Sequence, residues 1–345
     1  MKRIVLIILI IITGCNPDEI GPQSAEDTDP SSIGGRKIYI VNEGNFGRGG
    51  SSISVYRPVD QSYHPGVFSG ANQGAVIGDV AQNMLRYQDQ YFISVNASGY
   101  VLSVDTTSFM VLDTIAGDIK APVHLALYEN NGKAELYISD LYERKIWLAD
   151  PQSAALTGAI DLPAKAAHLI NCKEQLFFTV GDDIGVIDGG SYAFHTISLP
   201  HKQPDRMVLD DDCNVWALFR NGQQAANLVM IDQNEQIKKD WQLPNGENPR
   251  LLAISSDRRF LYYVSDDGVY RQRTGTAQLT PKRIYALSDE NVYSFRVDPR
   301  TDELYFSDAI DFDQASDIYR IDSSGQVIDV FKGGIITGDY FFGGK

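Results

Sequence analysis

A short, aromatic-rich stretch returns seven times along this chain. It begins at Lys37, Tyr91, Glu135, Gln175, Asn214, Phe260 and Glu303, so successive starts lie 54, 44, 40, 39, 46 and 43 residues apart. A period of roughly 40 to 50 residues is the length of one four-stranded blade in a radial β-repeat. The stretches alternate along their length and favour β-branched and aromatic residues, as in Lys37-Ile38-Tyr39-Ile40-Val41 and Glu303-Leu304-Tyr305-Phe306-Ser307-Asp308. That is strand chemistry. A following strand echoes from unit to unit and ends on aspartate: Tyr100–Asp105, Lys145–Asp150, Asn227–Asp232 and Ile318–Asp322. No segment holds a helical period beyond two turns. The chain therefore reads as an all-β, seven-bladed β-propeller over residues 36–345.

Ring closure is also legible. Only linker precedes Lys37, which leaves the first blade short of an inner strand, while one further apolar strand, Gly338-Asp339-Tyr340-Phe341-Phe342, follows the seventh. Pairing that terminal strand into blade one removes the two exposed edges of an open ring.

Composition narrows the function. Of 345 residues 43% are hydrophobic, enough for a large core, and 45 acidic against 30 basic residues give a net charge of −15. An acidic surface opposes nucleic acid and anionic lipid, since phosphate contacts need clustered Lys and Arg. Three cysteines without a Cys-x-x-Cys pair exclude zinc ribbons, thioredoxin-type redox motifs and c-type haem attachment.

The N-terminus suggests a location. Lys2 and Arg3 precede an apolar run, Ile4 to Ile12, that is too short to span a bilayer and reads as a secretory leader. It ends Ile12-Thr13-Gly14-Cys15, which resembles the lipobox of bacterial lipoproteins. The resemblance implies a signal peptide over 1–14, lipidation of Cys15, and an anchored tether over 15–35, rich in Pro, Gly, Ser and acids. Cleavage would leave 28 basic against 45 acidic residues, a net −17. Asp18 and Glu19 resemble the signal that sends some such lipoproteins to the outer face of the outer membrane.

The segments Val41-Asn42-Glu43-Gly44-Asn45-Phe46-Gly47, Gly50 to Tyr56 and Gly78 to Asn83 resemble the opening of YVTN/YncE-like surface propellers, and Tyr305 to Phe312 resembles their last blade. The likeness runs over about residues 37–342. It implies a cell-surface lipoprotein of the propeller fold, and among lipid-anchored relatives, capture of cobalamin for a TonB-dependent transporter.

Aligning the inner-strand starts places one residue per blade at the channel mouth: Gln82, His124, His168, Arg206, Arg250, Ser294 and Tyr340. Two Arg and two His converging inside an acidic chain would focus positive potential on a phosphate or carboxylate. Equally, these side chains could cap strand ends or pair with acids such as Asp79, Asp205 and Asp339. Loops between second and third strands add Asn45, Phe46, Arg48, Tyr142, Phe219, Arg220 and Phe312, a mixture of stacking faces and polar edges suited to a large flat ligand. Cys172 and Cys213, one blade apart at equivalent turns, could form a disulfide in an oxidising compartment.

No GxSxG, HExxH, P-loop or dinucleotide loop occurs. The expectation is a non-enzymatic, monomeric, membrane-anchored binding protein without a cofactor, taking a small molecule such as a corrinoid and handing it to a TonB-dependent transporter. One alternative is a protein- or glycan-binding envelope scaffold. Another is a metal-dependent lyase or lactonase using His124 and His168.

Overall fold

The computed structural model describes residues 29, 31, 33–130, 132–189, 191–222, 224–244 and 248–343. The expected leader, Cys15 and most of the expected tether lie outside the described residues. Seven four-stranded antiparallel sheets form the fold, and among the described residues a single short helix, Val67–Ala71, lies between blades one and two. Among the described residues no helix is long and apolar enough to cross a membrane.

Blades two to seven run inner to outer in chain order, as in blade two: Ala81–Tyr87, Gln90–Val95, Tyr100–Asp105 and Val111–Ile115. The second strands are nearly all buried, and those are the stretches whose repetition marks the sequence. Outer strands such as Val111–Ile115 face solvent and carry weak periodicity.

The core is distributed. Seven apolar clusters occur, and each fills the gap between two neighbouring blades rather than the centre of the ring. Between blades one and two, Tyr39 and Val55 meet Tyr91, Ile93 and Val104. Ile33, ahead of the expected boundary at residue 36, is buried in that same cluster.

Blade one closes the ring. Its inner strand is the C-terminal segment Thr337–Phe342, with Ile38 opposite Phe342, Ile40 opposite Tyr340 and Val41 opposite Asp339. Around the seam, the Arg320 guanidinium donates to both Glu303 carboxylate oxygens at 3.0 and 2.9 Å, to the Tyr56 hydroxyl at 3.2 Å and to the Pro58 carbonyl at 2.9 Å. Arg36 pairs with buried Asp298 of blade seven, fixing where the chain enters the ring.

A charged chamber at the mouth of the axial channel

The inner strands line a channel, and near its mouth each breaks register. Pairing with the second strand slips between Ala81 and Asn83, Pro122 and Leu125, Ala166 and Leu169, Pro204 and Arg206, Arg250 and Ala253, and Val292 and Ser294. The closing strand slips at the same level against Val41 and Asn42. A bulge leaves a residue unpaired and re-aims its neighbours. Here it turns Gln82, His124, Tyr293 and Gly338 toward the axis.

Hydroxyls on the second strands hold these bulges. The amides of Asn83, His124, His168 and Ser294 donate to Ser94, Ser139, Thr179 and Ser307 at 3.0–3.1 Å. Three of those hydroxyls donate onward to the next blade: Ser94 to the Val123 carbonyl, Ser139 to Ala167 and Ser307 to Thr337, at 2.7–2.8 Å. One side chain thus satisfies a bulge in its own blade and a carbonyl in its neighbour, as buried backbone groups require.

Two chambers follow one another along the channel among the described residues. The upper one, about 220 Å³, is lined by Glu43, Gln82, Asn83, Arg206, Tyr293 and Asp339 among others. The lower one, about 340 Å³, is walled largely by apolar side chains with His168, Asn171 and Arg258. His124 and Arg296 line both and form the waist.

The upper chamber is electrostatically uneven. Arg296 Nε donates to Asp339 Oδ1 at 2.7 Å, and Asn83 Nδ2 donates to Asp339 Oδ2 at 2.8 Å. Burial opposes the Asp339 anion, but the Arg296 charge and these hydrogen bonds outweigh it and hold its carboxyl below the usual range. Glu43 has no such partner. Burial pushes its carboxyl up to about 7, against the opposing pull of the Tyr293 hydroxyl, which donates to Oε2 at 3.0 Å, and of the Gln82 amide. The Arg206 side chain makes no hydrogen bond or ion pair among the described residues; burial and then the Arg296 charge lower its pKa, against the opposing charges of Asp205 and Asp339. Burial, Arg296 and Arg206 drive His124 down to about 3; burial, His124 and the two arginines hold His168 well below the ordinary value. The two rings sit 4.5 Å apart, edge to face, both uncharged near neutrality.

Of the residues aligned at the mouth, the structure brings Gln82, His124, Arg206 and Ser294 into the upper chamber. His168 lies lower and is buried. Arg250 turns outward to Asp266 at 3.0 Å, because the bulge beyond it puts Leu251 and Leu252 at the wall. Tyr340 packs among Ile40 and Tyr305 between blades seven and one, one residue out of phase with Asp339, and a one-residue slip exchanges the faces of a strand.

The loop residues divide similarly. Phe46 and Tyr142 are exposed, with Lys165 over the Tyr142 ring. Phe312 is partly exposed and meets Tyr293 edge-on at 5.7 Å, joining the rim to the chamber. Asn45 donates to Asp313 at 3.0 Å, Arg48 lies 3.6 Å from the same carboxylate, and Arg220 reaches the Asn248 side chain at 3.3 Å. Phe219 is fully buried and belongs to the core between blades four and five. Asp79 and Asp205 cap backbone, accepting from the Gly47 and Leu251 amides. Cys172 and Cys213 are joined by a disulfide at the opposite face, with Cα atoms 5.8 Å apart.

Sequence alignment missed Glu43, Tyr293 and Arg296. Tyr293 and Arg296 flank the aligned Ser294, so reading a window at each strand start would have found them. Glu43 sits in the Asn42-Glu43-Gly44 loop opening, a visible signal. Gly338 explains its position: a Cβ there would lie 2.9 Å from Glu43 Cγ.

Seven blades around a waisted channel, with an unpaired arginine at one mouth, define a propeller with an axial polar chamber. Residues 36–333 match the domain of unknown function DUF5074, and the chain belongs to that family. No curated protein matches the sequence. Among solved structures, a quinonprotein alcohol dehydrogenase-like protein from Bacteroides thetaiotaomicron is similar at 14% identity and a TM-score of 0.68, over 89% of this chain and 78% of that one. Dihydro-heme d1 dehydrogenase NirN, in complex with DHE, is similar at 10% identity and 0.60, over 90% and 67%. Hydrazine synthase from Kuenenia stuttgartiensis is similar at 16% and 0.58, over 67% and 73%. At such identities the likeness is one of fold.

Proposed function

We propose that this protein is a ligand-binding propeller of the cell envelope that captures a small molecule through an anionic group seated in the upper chamber. The observation that carries the reading is Arg206: a guanidinium with no ion-pair contact among the described residues, half-buried in a chamber of about 220 Å³, within a chain of net charge −15. A charge that is only partly offset through space in partly desolvated surroundings costs stability, and an incoming anion in direct contact reduces that cost. The rim supplies Phe46, Tyr142 and Phe312 as exposed faces for the rest of the ligand.

A corrinoid is too large for the chamber. It would lie across the rim and insert one peripheral group. The lipobox-like leader and the YVTN/YncE-like opening motif support anchoring through Cys15 and delivery to a TonB-dependent transporter. The scaffold reading draws on the same exposed rim aromatics, to which Leu141 adds. A metal-dependent lyase or lactonase would use His124 and His168; among the described residues no third His, Cys, Asp or Glu joins them in a metal-holding group.

Calorimetric titration with cobalamin, a cobinamide control and small carboxylates tests the proposal. Expected is saturable one-to-one binding of at least one probe that falls tenfold or more in Arg206→Ala. Absence of heat from every probe would overturn ligand capture and leave the scaffold reading.

A further inference from the structure

We propose that the upper chamber takes up a carboxylate together with one proton, the anion held by Arg206 and the proton carried by Glu43. This rests on the ligand-capture reading and specifies what it captures: a small organic acid, or the acidic end of a larger ligand.

The argument begins with the chamber's charges. Asp339 is matched by Arg296 at 2.7 Å and is also bonded by Asn83. His124 and His168 are uncharged and contribute no net charge. Asp205 is engaged by the Leu251 amide at 3.2 Å. Arg250 and Asp266 pair with each other outside the chamber. Two lining groups remain without an ion-pair contact, Arg206 and Glu43, although Asp205, which does not line the chamber, attracts Arg206 through space.

Every element packed around Glu43 can be named. Tyr293 from blade seven donates to it, and Gln82 from blade two lies beside it. Asp339 of the closing strand adds a like charge and Arg206 of blade five an opposite one. Gly338 brings the backbone against it. With Glu43 ionised, the charged groups that line the chamber, Arg206, Arg296, Asp339 and Glu43, sum to zero, and an entering carboxylate meets two others. With Glu43 protonated, the chamber carries one positive charge, and the ligand restores neutrality. The protonated carboxyl is then also a donor that can bond the ligand's oxygen. The position of Glu43 near 7 makes this exchange accessible around neutrality. The reaction is a bare proton transfer from solvent to a Glu43 carboxylate oxygen, with no bond to carbon changed.

Propionate is a suitable probe, because its own charge is constant between pH 6 and 9. It is titrated into the protein by calorimetry at fixed ionic strength, in buffers of different ionisation enthalpy. The expected result is an affinity that falls about tenfold per pH unit above the Glu43 midpoint, with close to one proton taken up per propionate at pH 8.5. Glu43→Gln, a neutral isostere, should bind with no pH slope and no proton uptake, and Arg206→Met should not bind. Thermal melts of both variants confirm folding, and proton uptake in the unaltered protein needs no variant. Binding without a pH slope or proton uptake would overturn the coupling and leave ligand capture standing. Undiminished binding by Arg206→Met would place the anion elsewhere and overturn the site. No propionate binding at any pH would overturn the proposal, while ligand capture would still be judged by the cobalamin and cobinamide titrations.

Discussion

Glu43 reaches the axis across a residue without a side chain, and its burial has a thermodynamic consequence in the protein without ligand. Its pKa of about 7 in the folded chain lies above the ordinary 4.5. Between those values the native state holds more protons than the unfolded state, so stability falls as pH rises through the window. Glu43→Gln removes the titration. In urea melts the variant should gain on the wild type as pH rises, by on the order of 3 kcal/mol between pH 4 and pH 8.5. A constant difference across that range would show that Glu43 is not held in a raised state. His124 and His168 act in the opposite sense. Their depressed values mean stability that is present above about 6.5 and lost as pH falls, because the unfolded rings take up protons that the folded ones refuse. His168→Gln should therefore lose less than the wild type between pH 7 and pH 5. At this scale the sequence exposed residue types better than directions. Arg206 and Gln82 do face the chamber, but Arg250 and Tyr340 were aligned with them and point away, because a bulge beside each breaks the alternation on which the alignment relied.

Those bulges make the hydroxyl positions decisive for each blade. Ser139 is buried, accepts from the His124 amide at 3.0 Å and donates to the Ala167 carbonyl at 2.8 Å in the next blade. Ser139→Ala leaves two buried backbone groups unsatisfied and should cost about 2 kcal/mol, more than an isolated surface hydroxyl would. Ser139→Thr, which keeps the oxygen, should recover most of it. The disulfide links the same two-blade logic at the opposite face. Cys172 and Cys213 close a loop of 41 residues, and Cys172→Ser with Cys213→Ser should lower stability by about 4 kcal/mol if chain entropy dominates. Denaturant midpoints in the presence and absence of reductant measure it. The elements themselves were readable because buried second strands are dominated by apolar and aromatic residues, with one hydroxyl near the chamber end, as in Gln90–Val95. The serines at matching positions were visible too, yet their role depends on bulge geometry, and no periodicity encodes that.

At the scale of the molecule, stability comes from seven inter-blade clusters, so no blade is a folding unit by itself and the ring depends on being closed. Arg36 enters beside Asp298 and Gly343 bonds back to the Lys37 carbonyl at 3.1 Å, so both ends of the propeller leave at the face opposite the chamber. The closing strand has a sharper test. Deleting residues 336–345 uncovers the full edge of Ile38–Asn42, strips Tyr340 and its neighbours from the cluster between blades seven and one, and removes Asp339 from beneath Arg296. That leaves an unpaired strand edge and an uncompensated buried charge together. The truncated chain should lose its cooperative thermal transition and aggregate, rather than melt a few degrees lower. A synthetic peptide spanning residues 334–343, added in trans, should restore the transition in proportion to its concentration, since its register is dictated by Ile38, Ile40 and Val41. A truncated chain that melts cooperatively without the peptide would show that six blades and an open edge suffice.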